Sequence, residues 1–242
     1  MRSIFIYIAV LFFSFSFSQK KELRQIKRLI DEKFFQEAES TLESNKDFLL
    51  SGDSKTDAQF YYYATKIYTE IKSFKLAKNS LEELMSINPS YYNAEMKLDY
   101  KNLEEILVVA LVNAAVADNS SKKWMEGVDK LLLAYEMDKD NNIDYLYFAA
   151  SGAVNAENFD LALEYYLQLK EKNYTGIKDE YFITNVESGV EEKVTETEYK
   201  IYQSSKEYMN PRIGQTESRY PEIVKNIALI YCLLYTSPSP RD

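Results

Sequence analysis

The feature that most constrains the fold is an apolar pattern of helix pairs that recurs along the chain. In each copy, apolar residues at spacings of three and four indicate one face of a helix, and the same spacing resumes after a short break. In the clearest copy the break falls at Lys72–Phe74, and Pro89 ends the second helix because proline disfavours helical geometry in the preceding residue. The copies cover about 19–52, 58–91, 108–141 and 143–174. Helix pairs that bury their apolar faces only against neighbouring pairs predict an all-α solenoid.

Small residues occupy one position in the second helix of every copy. They are Ala38, Ala77, Gly127 and Ala162. A larger side chain there would push the two helices of a pair apart, so these positions are predicted to lie where the helices cross closely.

These residues resemble the tetratricopeptide repeat (TPR), a helical hairpin of about 34 residues with an alanine early in its second helix and a proline after it. The best local match is Tyr61, Ala64, Thr65, Tyr68, Ala77, Leu81, Leu84 and Pro89. The chain also resembles secreted repeat proteins of Gram-negative bacteria. The resemblance implies a TPR helical-hairpin solenoid whose concave face binds another protein.

Two insertions interrupt the repeat. The first has a helical pattern and predicts one long helix from about Ser90 to Asp118. The second covers 175–220 and contains two segments rich in β-forming residues, 180–185 and 190–195, joined by turn-forming residues. It therefore predicts a small inserted β-hairpin, followed by a helix from about Glu196 to Tyr208.

Both ends are predicted to lie outside the repeat fold. Residues 1–18 have the charge, the short apolar run and the small residues of a secretory signal peptide, cut near Ser18. The alternative is a retained membrane helix, but the apolar run is shorter than the roughly 20 residues that span a bilayer.

Residues 221–231 are predicted to be the first helix of a truncated further repeat, with Val224, Ile227, Ala228 and Tyr231 on its apolar face. Residues 232–242 resemble a translated sequencing adapter, which would make that tail non-native.

Composition excludes several classes of activity. The chain has no histidine, one cysteine and six glycines, so it can form neither a histidine-based catalytic triad nor a paired-cysteine metal site nor a glycine-rich phosphate loop. Its net charge of −9 is unfavourable for nucleic-acid binding. We therefore expect a non-enzymatic protein without cofactor or metal that contacts a membrane only through its signal peptide. We expect it in the periplasm or at the cell exterior.

The predicted partner-binding face lies on the first helices of the repeats. Tyr62 and Tyr147 follow core positions by one residue, which places them on the face that would line a groove. The other members of this face are Lys66, Val112, Val116 and Ser151. Exposed aromatics there favour a protein or peptide partner of unknown identity, or alternatively a glycan or cell-wall ligand. A second interpretation is that Tyr62 and Tyr147 pack against the long helix or the inserted hairpin.

Overall fold

The computed structural model of the protein describes residues 18–235. The chain divides into two compact units, which meet in sequence between Tyr145 and Leu146. Most of the described chain is helical, and the second unit contains a three-stranded antiparallel sheet. The predicted helical class is thus confirmed in its coarse form.

The first unit is built from helices. They are α1 (18–31), α2 (Phe35–Ser44), α3 (Lys46–Leu49), α4 (Ser54–Glu70), α5 (Phe74–Ser86), α6 (Ala94–Ser120) and α7 (Trp124–Met137), with a 3-10 turn at Pro89–Tyr91. Helix α4 packs against α2, α5 and α6, and α6 packs against α7. Side-chain caps fix where the two longest helices begin, since Asp53 accepts from the backbone N–H of Thr56 and Asn93 accepts from that of Met96, both at 2.9 Å.

The second unit combines helices with the sheet. Its elements are most of α8 (Ile143–Asn155), α9 (Phe159–Glu171), β1 (Asp179–Asn185), β2 (Glu191–Val194), α10 (Glu196–Tyr202), β3 (Tyr208–Gln215) and α11 (Tyr220–Tyr235). The strand order is β2-β1-β3. Helix α10 packs against β1, and α11 packs against α9. A reciprocal capping box between Thr195 and Glu198 starts α10 directly after β2.

Four connections between helices share one backbone geometry. Each has three residues, and the middle residue is left-handed with φ between 58° and 63°; these residues are Lys33, Lys72, Lys122 and Glu157. The third residue of each connection donates its backbone N–H to the carbonyl five positions earlier at 2.8–2.9 Å. This is the Schellman arrangement that ends many helices, usually with glycine at the left-handed position. The sequence pattern did not predict these Schellman connections, because lysine or glutamate occupies the left-handed position in place of glycine.

The predicted close crossing is confirmed at Gly127, and the other three small residues are confirmed as buried. Ala38, Ala77 and Ala162 are fully buried. A Cβ atom on Gly127 of α7 would overlap the side-chain oxygen of Asn119 and lie 3.3 Å from the carbonyl oxygen of Ala115, both on α6. A small residue is therefore required where these two helices meet.

The insertions agree with prediction in part. The long helix is confirmed, although it begins at Ala94 because the Pro89–Tyr91 turn and the Asn93 cap precede it. The antiparallel hairpin is also confirmed as β1 and β2. The predicted helix 196–208 is wrong in its second half, because α10 ends at Tyr202 and residues 208–215 form β3. Most side chains of β3 are exposed and Pro211 lies within it, so the strand lacks the alternating pattern that would reveal it.

The last helix is confirmed, but its predicted apolar face is wrong by one position. Ile223, Ile227 and Ile230 of α11 are buried, whereas Val224 and Tyr231 are each 40% exposed. The buried face therefore begins one residue earlier than the repeat alignment implied. The predicted signal peptide lies outside the described residues except for Ser18, as does the tail beyond Tyr235. None of the helices within 18–235 is both long and apolar enough to cross a membrane.

Candidate functional site

The first unit contains an open apolar groove between the α4–α5 connection and the middle of α6. Its volume is about 500 Å³. The lining residues are Thr69, Glu70, Lys72 and Phe74 on one wall and Glu105, Ile106, Val109, Ala110, Asn113, Ala114 and Ala117 on the other. We call this the α4–α6 groove.

The composition of α6 explains why the groove is open. Ala110, Ala114 and Ala117 present only methyl groups, so they do not fill the space beside α4. Ile106 and Val109 stand at its edge and are 46% and 52% exposed. Exposed β-branched side chains beside an unfilled apolar space form a surface on which a partner's apolar side chain would lose contact with water.

The adjoining stripe of α6 forms part of the core. Leu103, Leu107 and Leu111 recur at intervals of four and are almost completely buried. Helix α6 therefore has apolar residues around most of its circumference. Ala110 and Ala114 are partly buried against the core, whereas Ile106 and Val109 remain about half exposed. That two-sided pattern was the signal in the sequence that could have pointed to the groove.

The six residues predicted to bind a partner are divided between the two units. Tyr62 and Lys66 lie on α4, and Val112 and Val116 lie on α6, but none of the four lines the α4–α6 groove. Val112 is half-buried against the core, whereas Val116 is 59% exposed. Tyr147 and Ser151 lie on α8, within the second unit.

The prediction that Tyr62 and Tyr147 are exposed is wrong. Tyr62 is fully buried and Tyr147 is 5% exposed. The second interpretation is confirmed for Tyr62, whose hydroxyl donates to Asp99 Oδ2 on the long helix at 2.8 Å. Tyr147 contacts instead Arg219, at the end of the insertion, and Glu222, which follows the insertion.

Tyr62 belongs to a polar cluster that joins α4 to α6. Lys66 Nζ lies 3.1 Å from both Asp99 Oδ2 and the Tyr62 hydroxyl oxygen, and 4.9 Å from the centre of the Tyr62 ring. Burial, together with the hydrogen bond to Asp99, raises the pKa of Tyr62 far above its usual value. Burial alone would raise the pKa of Asp99, but the hydrogen bonds from Tyr62 and Lys66 outweigh it and lower that pKa. A protonated, buried phenol held by a carboxylate stabilises the contact between two helices and is poorly suited to act as a base.

Tyr147 lies in an aromatic cluster of the second unit. The Arg219 guanidinium lies 4.4 Å from the centre of its ring, and the rings of Phe148 and Tyr174 lie 5.5 Å and 6.1 Å away. The Tyr147 hydroxyl donates to Glu222 Oε2 on α11 at 2.8 Å. These contacts hold α11 against α8 and leave little of Tyr147 available to a ligand.

The described residues offer little for metal chemistry. No group of three or more carboxylates or thiols within 18–235 is arranged to hold a metal ion. Comparison of the chain with protein-family models, with curated proteins and with solved structures gives no match in any of the three. The α4–α6 groove is therefore interpreted from its geometry alone.

Proposed function

We propose that the chain is a non-enzymatic interaction module of the tetratricopeptide type, which binds an apolar segment of a protein partner in the α4–α6 groove. The observation that carries the proposal is the groove itself, with Ile106 and Val109 exposed beside the unfilled space over Ala110 and Ala114. The repeated Schellman connections support the tetratricopeptide resemblance, because the same hairpin geometry recurs at each predicted pair.

The groove favours an apolar segment with a small number of polar contacts. Its polar groups lie at the edges of the apolar lining, where Glu70, Lys72 and Glu105 would orient a bound chain rather than supply most of the binding free energy. A segment with two or three aliphatic or aromatic side chains would fill the space over the alanines. A glycan has no comparable support, since the only aromatic ring in the lining, Phe74, is 6% exposed.

We further propose that the mature protein acts outside the cytoplasm, in the periplasm or at the cell exterior. This rests on the signal-peptide pattern of residues 1–18. N-terminal sequencing of protein recovered from the host should begin at or near Gln19. Recovery of Met1 from a membrane fraction would contradict it.

Peptide selection tests the binding proposal. A phage-displayed random peptide library is selected against the full chain, and the enriched peptides are titrated against two variants. Val109→Asp places a charge in the groove and should weaken binding by about tenfold or more, because burying an unpaired charge is costly. Val116→Asp makes the same change on the same helix outside the groove lining and should alter binding less than about twofold.

The pair of variants also separates the two candidate faces. Both valines are more than half exposed, so neither substitution removes core packing. If Val116→Asp abolishes binding and Val109→Asp does not, the partner uses the face predicted from sequence and the groove is not the site. If no peptide is enriched, the proposed function is wrong.

A further inference from the structure

A second pocket of the first unit carries positive charge in an acidic protein. It lies beside α1 and has a volume of about 310 Å³. Its polar lining includes Lys20, Arg24, Lys27, Gln59, Tyr63 and Glu95. We call it the α1 pocket. The whole chain has a net charge of −9. The pocket, with three basic side chains and one acidic side chain, therefore has a local charge opposite in sign to that of the whole chain.

The three basic residues follow the helical repeat of α1. Lys20, Arg24 and Lys27 are separated by four and three positions, which places them on one face of the helix. Lys27 is already engaged, since its Nζ lies 3.1 Å from Glu95 and 3.3 Å from Asp31. No carboxylate of the described residues forms an ion pair with Lys20 or Arg24. Two cations thus remain available to a ligand.

Tyr63 supplies a hydrogen-bond donor to the pocket. Its side chain lines the pocket although the residue is only 4% exposed. Among residues 18–235, no group forms a hydrogen bond with the Tyr63 hydroxyl. Burial, with the nearby Glu95 carboxylate adding to it, raises the pKa of Tyr63 to about 12, so the group is a hydroxyl donor at neutral pH. The Tyr63 hydroxyl oxygen is not among the buried unpartnered atoms of the described residues, so it is reachable from the pocket. A hydroxyl donor that faces a cationic pocket is suited to an acceptor oxygen of a ligand.

The start of α6 adds a further favourable contribution. Asn93, which also lines the pocket, is the N-cap of this 27-residue helix. Asn93 caps the Met96 N–H, and the positive end of the helix dipole lies beside the two available cations. Helix N-termini with adjacent basic side chains favour phosphate groups.

We propose that the α1 pocket binds a phosphate group, held by Arg24 and Lys20 and by a hydrogen bond from Tyr63. Arg24 is suited to grip two phosphate oxygens, because its guanidinium presents paired N–H donors. The phosphate belongs either to a soluble ester or to the headgroup of an anionic lipid. This site is separate from the α4–α6 groove and does not depend on the proposed partner.

The test measures phosphate binding by the full chain and by three variants. Inorganic phosphate is titrated at constant ionic strength, and sedimentation with phosphatidylglycerol–phosphatidylcholine vesicles is compared with sedimentation with phosphatidylcholine alone. Arg24→Gln should weaken binding by about tenfold or more. Tyr63→Phe removes one oxygen atom and should weaken it by about threefold or more, with the fold retained.

Arg28→Gln is the matched control. Arg28 lies one turn further along α1, is 67% exposed at its side chain and does not line the pocket. The Arg28→Gln substitution removes the same charge as Arg24→Gln and should change phosphate binding by less than about twofold.

The two probes identify the source of the phosphate. Saturable binding of inorganic phosphate with the expected order of variants assigns a soluble ester. Binding only to phosphatidylglycerol vesicles, lost in Arg24→Gln and kept in Arg28→Gln, assigns a lipid headgroup. The proposal is wrong if neither probe binds, if Arg24→Gln and Arg28→Gln have equal effects, or if Tyr63→Phe binds as tightly as the unaltered chain.

Discussion

Tyr62 and Tyr63 are adjacent buried tyrosines whose hydroxyl groups have opposite hydrogen-bonding states. Tyr62 donates to the Asp99 carboxylate at 2.8 Å and is also contacted by Lys66 Nζ. Tyr63 has no hydrogen-bond partner in the described chain. Replacing each with phenylalanine removes a single oxygen atom and keeps the ring, so the two substitutions differ mainly in the hydrogen bond that is lost.

We expect Tyr62→Phe to lower the free energy of unfolding and Tyr63→Phe to leave it nearly unchanged. A hydrogen bond to a charged group contributes roughly 1.5–3 kcal/mol. The Asp99 side chain is 30% exposed, so water can replace part of the lost bond and a value near the lower limit, about 1.5 kcal/mol, is expected. For Tyr63→Phe the expected change is within about 0.5 kcal/mol, because no intramolecular bond is lost.

Urea denaturation followed by tryptophan fluorescence measures this difference. The only tryptophan, Trp124, lies at the start of α7 and therefore reports on the first unit. With a denaturant slope of about 3 kcal/mol per molar, Tyr62→Phe should lower the midpoint by about 0.5 M. Equal midpoints for the two variants would refute the assignment of the Tyr62–Asp99 contact as a stabilising link between α4 and α6.

The same pair of variants predicts a pH dependence. The folded-state pKa of Asp99 is lowered, so its contribution to stability is present above the unfolded value of about 3.9 and is lost as the pH falls through the lower folded value. The difference between the unaltered chain and Tyr62→Phe should therefore be constant near neutral pH and decrease below about pH 4. A difference that grows on acidification would contradict the sign of this linkage.

Five further substitutions test the fold. Lys72→Gly should stabilise the chain by about 0.5–1 kcal/mol, since glycine avoids the strain of the left-handed position. Lys75→Gly in the first turn of α5 should instead destabilise it by about 0.5 kcal/mol; equal effects in urea titrations would contradict the turn geometry. Ala77→Leu and Ala162→Leu should each cost about 1–3 kcal/mol through overpacking, and unchanged melting temperatures would mean that these crossings are not close. Tyr92→Phe should cost about 1 kcal/mol, because it removes a buried hydrogen bond to the Leu84 carbonyl, which then keeps only the backbone N–H of Ile87 as donor; an unchanged urea midpoint would show that this bond is not needed.

The helix pairs, the long helix and the hairpin could be predicted because each follows from a local pattern. Periodic apolar residues identify α4 and α5, and alternating β-forming residues identify β1 and β2. Strand β3 could not be recognised in this way, because its stability comes from pairing with β1 and not from its own pattern. The Arg212 guanidinium of β3, for example, lies 4.0 Å from the Phe182 ring of β1 and also pairs with Glu191 of β2.

The candidate site was harder to predict because burial depends on how many neighbours a helix has. The repeat alignment assigns one buried face to each helix, yet α4 packs against α2, α3, α5 and α6 and buries residues around most of its circumference. Tyr62 is therefore buried although it lies outside the aligned core positions, while Tyr61, which was aligned to the core, is only half-buried. The α4–α6 groove depends on the spacing between two helices, which the alignment does not specify.

The location of the bound partner tests the central claim most directly. An isotope-labelled sample of the full chain is titrated with a selected peptide, and the backbone amide shifts are mapped onto the structure. The largest changes should lie in residues 105–117 of α6 and residues 69–74 around the α4–α5 connection. Changes concentrated on the three-stranded sheet or on α11, with the groove residues unaffected, would contradict the proposal that this groove is the binding site.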